Sequence, residues 1–153
     1  MKTLITISLL LFFSFALAGQ IAKSDDGLYY DVNGDLYTGV YTETYPDGIP
    51  KAEISLVNGQ RHGVSKIYYE NGHVRDIQSY KNNLMHGKWE SFNKEGVRIA
   101  EAHYRMGKKD GKWLIWDDNG TLRYDMTYKN REKTGVWYIY DESGKLVAST
   151  DYK

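Results

Sequence analysis

From Thr121 to Tyr128 large and polar side chains alternate: Leu122, Tyr124, Met126 and Tyr128 are interleaved with Thr121, Arg123, Asp125 and Thr127. A period of two marks a strand with one covered face. The large positions recur along the chain. Leu56, Tyr80, Tyr104, Tyr128 and Tyr152 each follow a glycine by eight residues, those glycines being Gly48, Gly72, Gly96, Gly120 and Gly144. A second glycine set, Gly39, Gly63, Gly87, Gly111 and Gly135, keeps the same constant step. Two residues after it stand Tyr41, Ser65, Trp89, Trp113 and Trp137, and five after it Thr44, Tyr68, Phe92, Trp116 and Tyr140. A fixed step of this length signals a repeat architecture.

The units are 39–62, 63–86, 87–110, 111–134 and the incomplete 135–153. Each runs five to six residues from its glycine to a turn such as Asn71-Gly72 or Asp117-Asp118-Asn119-Gly120. Asp and Asn before Gly are turn chemistry. A second run of about eight residues leads to another turn, such as Asn58-Gly59, Asn82-Asn83 or Met106-Gly107. Strand, turn, strand, turn is the economical reading. Two or three glycines per unit leave no uninterrupted helical stretch. The expected fold is all-β: one elongated antiparallel sheet of stacked β-hairpins, with a period of about 24 residues.

Equivalent residues of neighbouring hairpins then lie roughly 10 Å apart. The Trp89, Trp113 and Trp137 column and the Tyr80, Tyr104, Tyr128 and Tyr152 column should run along the sheet as ladders and supply its stability. Full burial of such a side chain is worth about 1.5–3 kcal/mol. Contact between aromatic neighbours adds about 0.5–1.5 kcal/mol. Tyr68, Phe92, Trp116 and Tyr140 fall on the opposite face if the pairing is regular. As exposed aromatics they are candidate partner-binding residues, with a structural role as the alternative.

Ahead of the repeats, residues 19–38 form an N-terminal segment. Gly27 to Thr38 reads as a degenerate half-unit in which Val32-Asn33-Gly34 echoes Val57-Asn58-Gly59, while 19–26 is polar and expected to be loose. Before it, Lys2, the apolar run Leu4 to Leu17 and the small-x-small triplet Ala16-Leu17-Ala18 have the form of a signal peptide over 1–18, leaving Gly19 first. An uncleaved anchor is the alternative, although the run falls short of the about 20 residues of a membrane span. The expected product is exported, periplasmic or secreted. With no cysteine it is not a lipoprotein and holds no disulfide or thiolate metal site.

Twenty Lys and Arg balance twenty Asp and Glu, so no basic stripe calls for nucleic acid. Arg105, Lys108, Lys109 and Lys112, then Lys129, Arg131 and Lys133, form a basic rim. Anionic lipid or an acidic partner would suit it, but Asp110, Asp117, Asp118 and Glu132 dilute it towards an ordinary soluble rim. His62 and His86 share a column with Asp110 and Thr134. At roughly 10 Å between members the row is poorly spaced for one metal ion, and solvated turn histidines are the plainer reading. Neither a nucleophile elbow nor a phosphate loop occurs. Paired carboxylates would have to meet in space, and a one-layer sheet offers little depth to raise an acid's pKa. No catalytic residue, cofactor or metal is expected.

The stretches His86-Gly87-Lys88-Trp89, Asp110-Gly111-Lys112-Trp113 and Thr134-Gly135-Val136-Trp137, each followed by an aromatic, a turn with Asn or Asp ending in Gly and a strand ending in Tyr, resemble the bacterial variant of the MORN repeat. The resemblance covers about 28–153, with Tyr41 and Ser65 departing at the Trp position. It implies a non-enzymatic sheet of successive hairpins. It also implies roles in protein scaffolding, dimerisation or membrane-lipid contact, and in many bacterial members an antitoxin-like label. The functional expectation is an exported scaffold that binds a macromolecule, more readily protein than lipid, with masking of an antitoxin-like or immunity type as its concrete form. The alternative is a cell-surface or envelope interaction module. The last strand, around Lys145 to Tyr152, is a candidate edge for pairing with a partner or a second copy as a homodimer. Lys145, Asp151 and Lys153 acting as a charged, protected edge is the competing reading.

Overall fold

A computed structural model describes residues 21–153. The signal peptide expected over 1–18 lies outside the described residues. Fifteen strands and no helix are found among them: β1 (Ala22–Lys23), β2 (Tyr29–Tyr30), β3 (Gly39–Thr44), β4 (Pro50–Val57), β5 (Gln60–Arg61), β6 (Gly63–Tyr68), β7 (Val74–Lys81), β8 (Leu84–Met85), β9 (Gly87–Phe92), β10 (Arg98–Arg105), β11 (Lys108–Trp116), β12 (Leu122–Lys129), β13 (Glu132–Lys133), β14 (Gly135–Tyr140) and β15 (Leu146–Tyr152). The long strands pair in chain order, β3-β4-β6-β7-β9-β10-β11-β12-β14-β15, each antiparallel to the next. This is the expected all-β sheet of hairpins.

Two turn chemistries make the meander. After β4, β7, β10 and β12 the chain reverses through pairs with positive φ: Asn58-Gly59, Asn82-Asn83, Met106-Gly107 and Asn130-Arg131. The flanking residues pair directly, as in Lys81 with Leu84 and Arg105 with Lys108. Two left-handed residues between paired neighbours form the turn whose twist matches a hairpin. The opposite end uses a five-residue loop. Asp117 Oδ1 accepts the backbone N–H groups of Asn119 and Thr121, and Asn93 and Asp141 act alike. Tyr45 and Tyr69 hold this place in the first two hairpins, where Asp47 and Asn71 take over one bond each.

The alternation read across β12 is interrupted. Ile115 pairs with Tyr124 but Trp116 with Leu122, so Arg123 is a bulge that parts Leu122 from the Tyr124 row. Lys51, Arg75, Ile99 and Val147 are skipped in the same way in the other hairpins. A bulge at one register in every unit strengthens the twist along the whole sheet.

Residues 21–26 are not loose. β1 pairs with β2, and the segment folds back over the first hairpins. The Tyr29 N–H donates to the Gly59 carbonyl, the Gly59 N–H to Tyr37, and the Tyr37 N–H to Tyr29. Tyr29 is buried with Ala52, Ile54 and Leu56, and Ile21, Tyr37, Tyr41 and Ile67 pack around them. Ile21 and Tyr29 supply apolar anchors that outweigh the polar composition of the stretch. The Val32-Asn33-Gly34 echo is also corrected. Gly34 donates to the Asp31 carbonyl and Asp31 Oδ1 accepts Asn33 and Asp35, which is the five-residue loop of Asp117 and not the Asn58-Gly59 turn.

Gly111 shows why the repeat glycine is needed. Its φ is +116°, and an added Cβ would stand 2.9 Å from the His103 Cβ. Gly111→Ala should cost about 1–3 kcal/mol, read from urea unfolding. Tyr29→Ala should cost about 3 kcal/mol. Hydrogen exchange should place that loss over β3 to β6 and spare β14 and β15, because neighbours alone couple in a stacked repeat.

Candidate functional site

The sheet presents two chemically different faces. On one, the expected Trp and Tyr columns merge into a single zigzag. Tyr80, Trp89, Tyr104, Trp113, Tyr128, Trp137 and Tyr152 follow one another with ring centroids 4.8–5.4 Å apart, all tilted or edge-on. Each of these tyrosines pairs across its hairpin with a repeat glycine: Gly63 with Tyr80, Gly87 with Tyr104, Gly111 with Tyr128, Gly135 with Tyr152. Each indole N–H donates to a carbonyl of the preceding hairpin: Trp89 to Ser79 at 2.8 Å, Trp113 to His103 at 3.2 Å, Trp137 to Thr127 at 2.9 Å. Ser65, at the Trp position of the second hairpin, is buried at the covered end.

A cation column runs beside this ladder. Arg61 lies over Tyr80, Lys109 over Trp113 and Tyr128, and Lys133 over Trp137 and Tyr152, at 4.0–5.2 Å from the centroids. Such stacking is worth about 0.5–1 kcal/mol at exposed sites. Sequence reading placed the lysines only in a general rim. The signal was an offset: Arg61, Lys109 and Lys133 each stand two residues before a repeat glycine. Beyond the ladder, Ile115, Tyr124 and Ile139 are 38–40% exposed. A hollow of about 260 Å³ lies between Tyr124, Met126, Trp137, Ile139, Thr150 and Tyr152.

The second face carries the candidate partner-binding residues, and they are half-buried rather than exposed. The Tyr68 hydroxyl donates to Glu53 at 2.7 Å. Trp116 lies under the Arg98 guanidinium, 4.3 Å from its ring. Tyr140 packs 6.5 Å from Tyr138. Phe92 receives the Tyr69 hydroxyl on its carbonyl. The four keep to one face but do not merge into one surface, because long charged side chains run between them. Lys88 and Arg98 meet Glu90, Arg98 and His103 meet Glu101, and Lys112 meets Asp125.

The Thr38, His62, His86 and Asp110 column serves the turns. Thr38 Oγ1 accepts the Asn58 N–H, His86 Nδ1 the Met106 N–H and Asp110 Oδ2 the Asn130 N–H, while His62 Nδ1 lies 3.0 Å from Asn82 Oδ1. No group able to hold a metal ion occurs among the described residues. Asp26 and Asp141 are held below the usual carboxylate range, Asp26 chiefly by the Leu28 N–H and Asp141 chiefly by the Ser143 hydroxyl. A lowered pKa suits turn formation and is the reverse of what a general acid needs.

Residues 61–82, 109–130 and 133–153 match the family described as MORN repeat variant. The stretch His86-Gly87-Lys88-Trp89 lies outside these matches, although its hairpin shares the bulge and the ladder. Repeats of this kind are generally non-enzymatic scaffold modules, often for membrane or protein interaction. No curated protein sequence matches the chain.

Trp89→Phe keeps a ring but loses the N–H, and should cost about 1 kcal/mol. Trp89→Ala should cost about 3–5 kcal/mol, both read from denaturant midpoints. Burial, then the Glu53 bond, push the Tyr68 phenol up to about 12 from 10.0. Its folded pKa is raised, so the stability it contributes is complete below about pH 10 and is lost as pH rises through about 12. The melting-temperature gap between the wild type and Tyr68→Phe should narrow over that interval.

Proposed function

We propose that this protein is an exported, non-enzymatic scaffold that uses its elongated sheet to bind and mask a protein partner, in the manner of an antitoxin-like or immunity-type protein. The observation that carries the reading is the ladder face. Several large apolar side chains remain open to solvent there, although the stack's own rings already support one another. Open apolar surface of this kind is a mark of interaction sites. Export rests on the sequence of residues 1–18 and predicts Gly19 as the first residue of the secreted product, read by N-terminal sequencing.

The second face contributes through Tyr68, Phe92, Trp116 and Tyr140. Trp116→Ser separates the two roles open to them: loss of folding means support for the sheet, loss of binding alone means contact. Strand β15 pairs only with β14, and its residues up to Asp151 are exposed. It is the place where a second copy would add a strand. Light scattering should give a larger mass for residues 19–153 than for 19–144, and equal masses overturn self-pairing.

Chemical cross-linking of the immobilised protein in envelope extracts should enrich one protein in stoichiometric amount over a Gly111→Ala control. Absence of any such protein overturns the masking reading.

A further inference from the structure

The ladder face is covered at one end and open at the other. Over the first two hairpins, residues 21–37 lie across it. Tyr29, 3% exposed, is seated on Ala52, Ile54 and Leu56, with its ring 5.5 Å from Tyr41 and its N–H on the Gly59 carbonyl. The covering segment is acidic and aromatic: Asp25, Asp26, Tyr29, Tyr30, Asp31 and Asp35 fall within eleven residues. Arg61, first of the cation column, stands against the Tyr29 phenol and donates to the Tyr80 hydroxyl at 3.0 Å.

The corresponding place three units on has no cover and larger side chains line it. Tyr124, Met126, Tyr128 and Ile139 are the counterparts, three repeat steps along, of Ala52, Ile54, Leu56 and Ile67, and Trp137 stands where the covered end has Ser65. Where Ala52 is 4% exposed, Tyr124 is 40% exposed and so is Ile139. The hollow of about 260 Å³ opens at this place. Lys109 and Lys133 are the counterparts of Arg61: Lys133 rests on Trp137 and Tyr152, which line the hollow, and Lys109 on Trp113 and Tyr128, the preceding rings of the ladder. Neither ammonium group meets a carboxylate in any ion pair among the described residues.

We propose that this open trough receives an extended, acidic, tyrosine-bearing segment of the partner protein. Its aromatic side chain fills the hollow between Tyr124, Trp137 and Ile139, and its carboxylates lie on Lys109 and Lys133. The proposal rests on the protein-binding reading and adds to it the location of the contact and its chemistry. The chain's own residues 21–37 supply part of the pattern, a ring in the seat beside Arg61 and backbone bonds to the turn at one margin, and the acids follow from charge complementarity with Lys109 and Lys133. Two ammonium groups without a carboxylate partner, Lys133 donating to the Tyr152 hydroxyl at 3.3 Å, spaced one repeat apart along an apolar trough, match a peptide carrying spaced acids. On the other face Lys88, Arg98 and Lys112 are paired with carboxylates, which trims the charge that would draw that face to an anionic membrane.

The test uses residues 19–153 and a fluorescein-labelled peptide with the sequence of residues 24–37. Fluorescence anisotropy should show saturable binding at one peptide per chain. Lys109→Met with Lys133→Met, which keeps the stems on the rings and removes the charge, should weaken it at least tenfold. A peptide with serine in place of its two central tyrosines should lose binding to the same degree, and Ile139→Asp should abolish it. Unchanged melting of each protein variant shows that the fold survives. If the double methionine variant melts early, Lys109→Gln alone should still weaken binding severalfold. Absence of saturation, or affinity within twofold of wild type after charge removal, overturns the proposal. Binding to vesicles with one-fifth phosphatidylglycerol but not to the peptide overturns it in favour of a lipid occupant. A peptide-free mass that halves on charge removal overturns it in favour of a second copy. Cross-linked capture of the natural partner that survives the double variant overturns the trough alone and leaves the scaffold reading standing. Loss of capture by the wild type itself is the failure of that reading.

Discussion

A tyrosine directly across from a glycine is the contact on which this structure depends. The missing side chain on one strand leaves room for the ring from the other, and that ring meets indoles on both sides. The indole then donates to the backbone of the previous hairpin. One strand pair, one ring and one hydrogen bond thus join each unit to the next. A single-layer sheet has no second layer to bury its apolar face, and contiguous rings take that place. Buried side chains are correspondingly few, Tyr29, Ala52, Ile54, Leu56 and Ser65 among the described residues, and all cluster at the covered end.

The consequence for function is that the two faces are free to differ. Short-range ion pairs on the second face hold several of its charges locally, and Arg98, one of their members, covers the Trp116 ring. The ladder face has cations on rings and aliphatic side chains in solvent. Exposed ion pairs hold little free energy, about 0–1 kcal/mol each, so the second face is adaptable. The ladder face is rigid, because moving one ring disturbs both neighbours. A rigid apolar trough loses little entropy when it takes a ligand.

The histidine column illustrates how a spacing acquires a meaning in three dimensions. Thr38, His86 and Asp110 recur at this place because each accepts a backbone N–H of the left-handed turn that closes its hairpin. Periodic chemistry in a repeat protein reports the repeat first. The cation column is different, since Arg61 touches the covering segment while its counterparts Lys109 and Lys133 have no such segment to touch.

From the chain alone, the period, the strand boundaries within a residue or two, both turn chemistries and the opposition of the Trp and Tyr68-type columns to one another were all legible. These depend on local rules: glycine at positive φ, asparagine and aspartate in loops, large residues at even spacing. The merging of two columns into one ladder was not legible, because it requires the register that sets Tyr128 against Gly111 and next to Trp137. Nor was the bulge at Arg123 and its equivalents, which alters which residues share a face without leaving a compositional mark. The cover made by residues 21–37 was decided by tertiary structure alone. Its first residues read as a loose tail and Gly27 to Thr38 as a degenerate half-unit, and only the seat formed by Ala52, Ile54 and Leu56, more than twenty residues further on, gives Tyr29 a place to be buried.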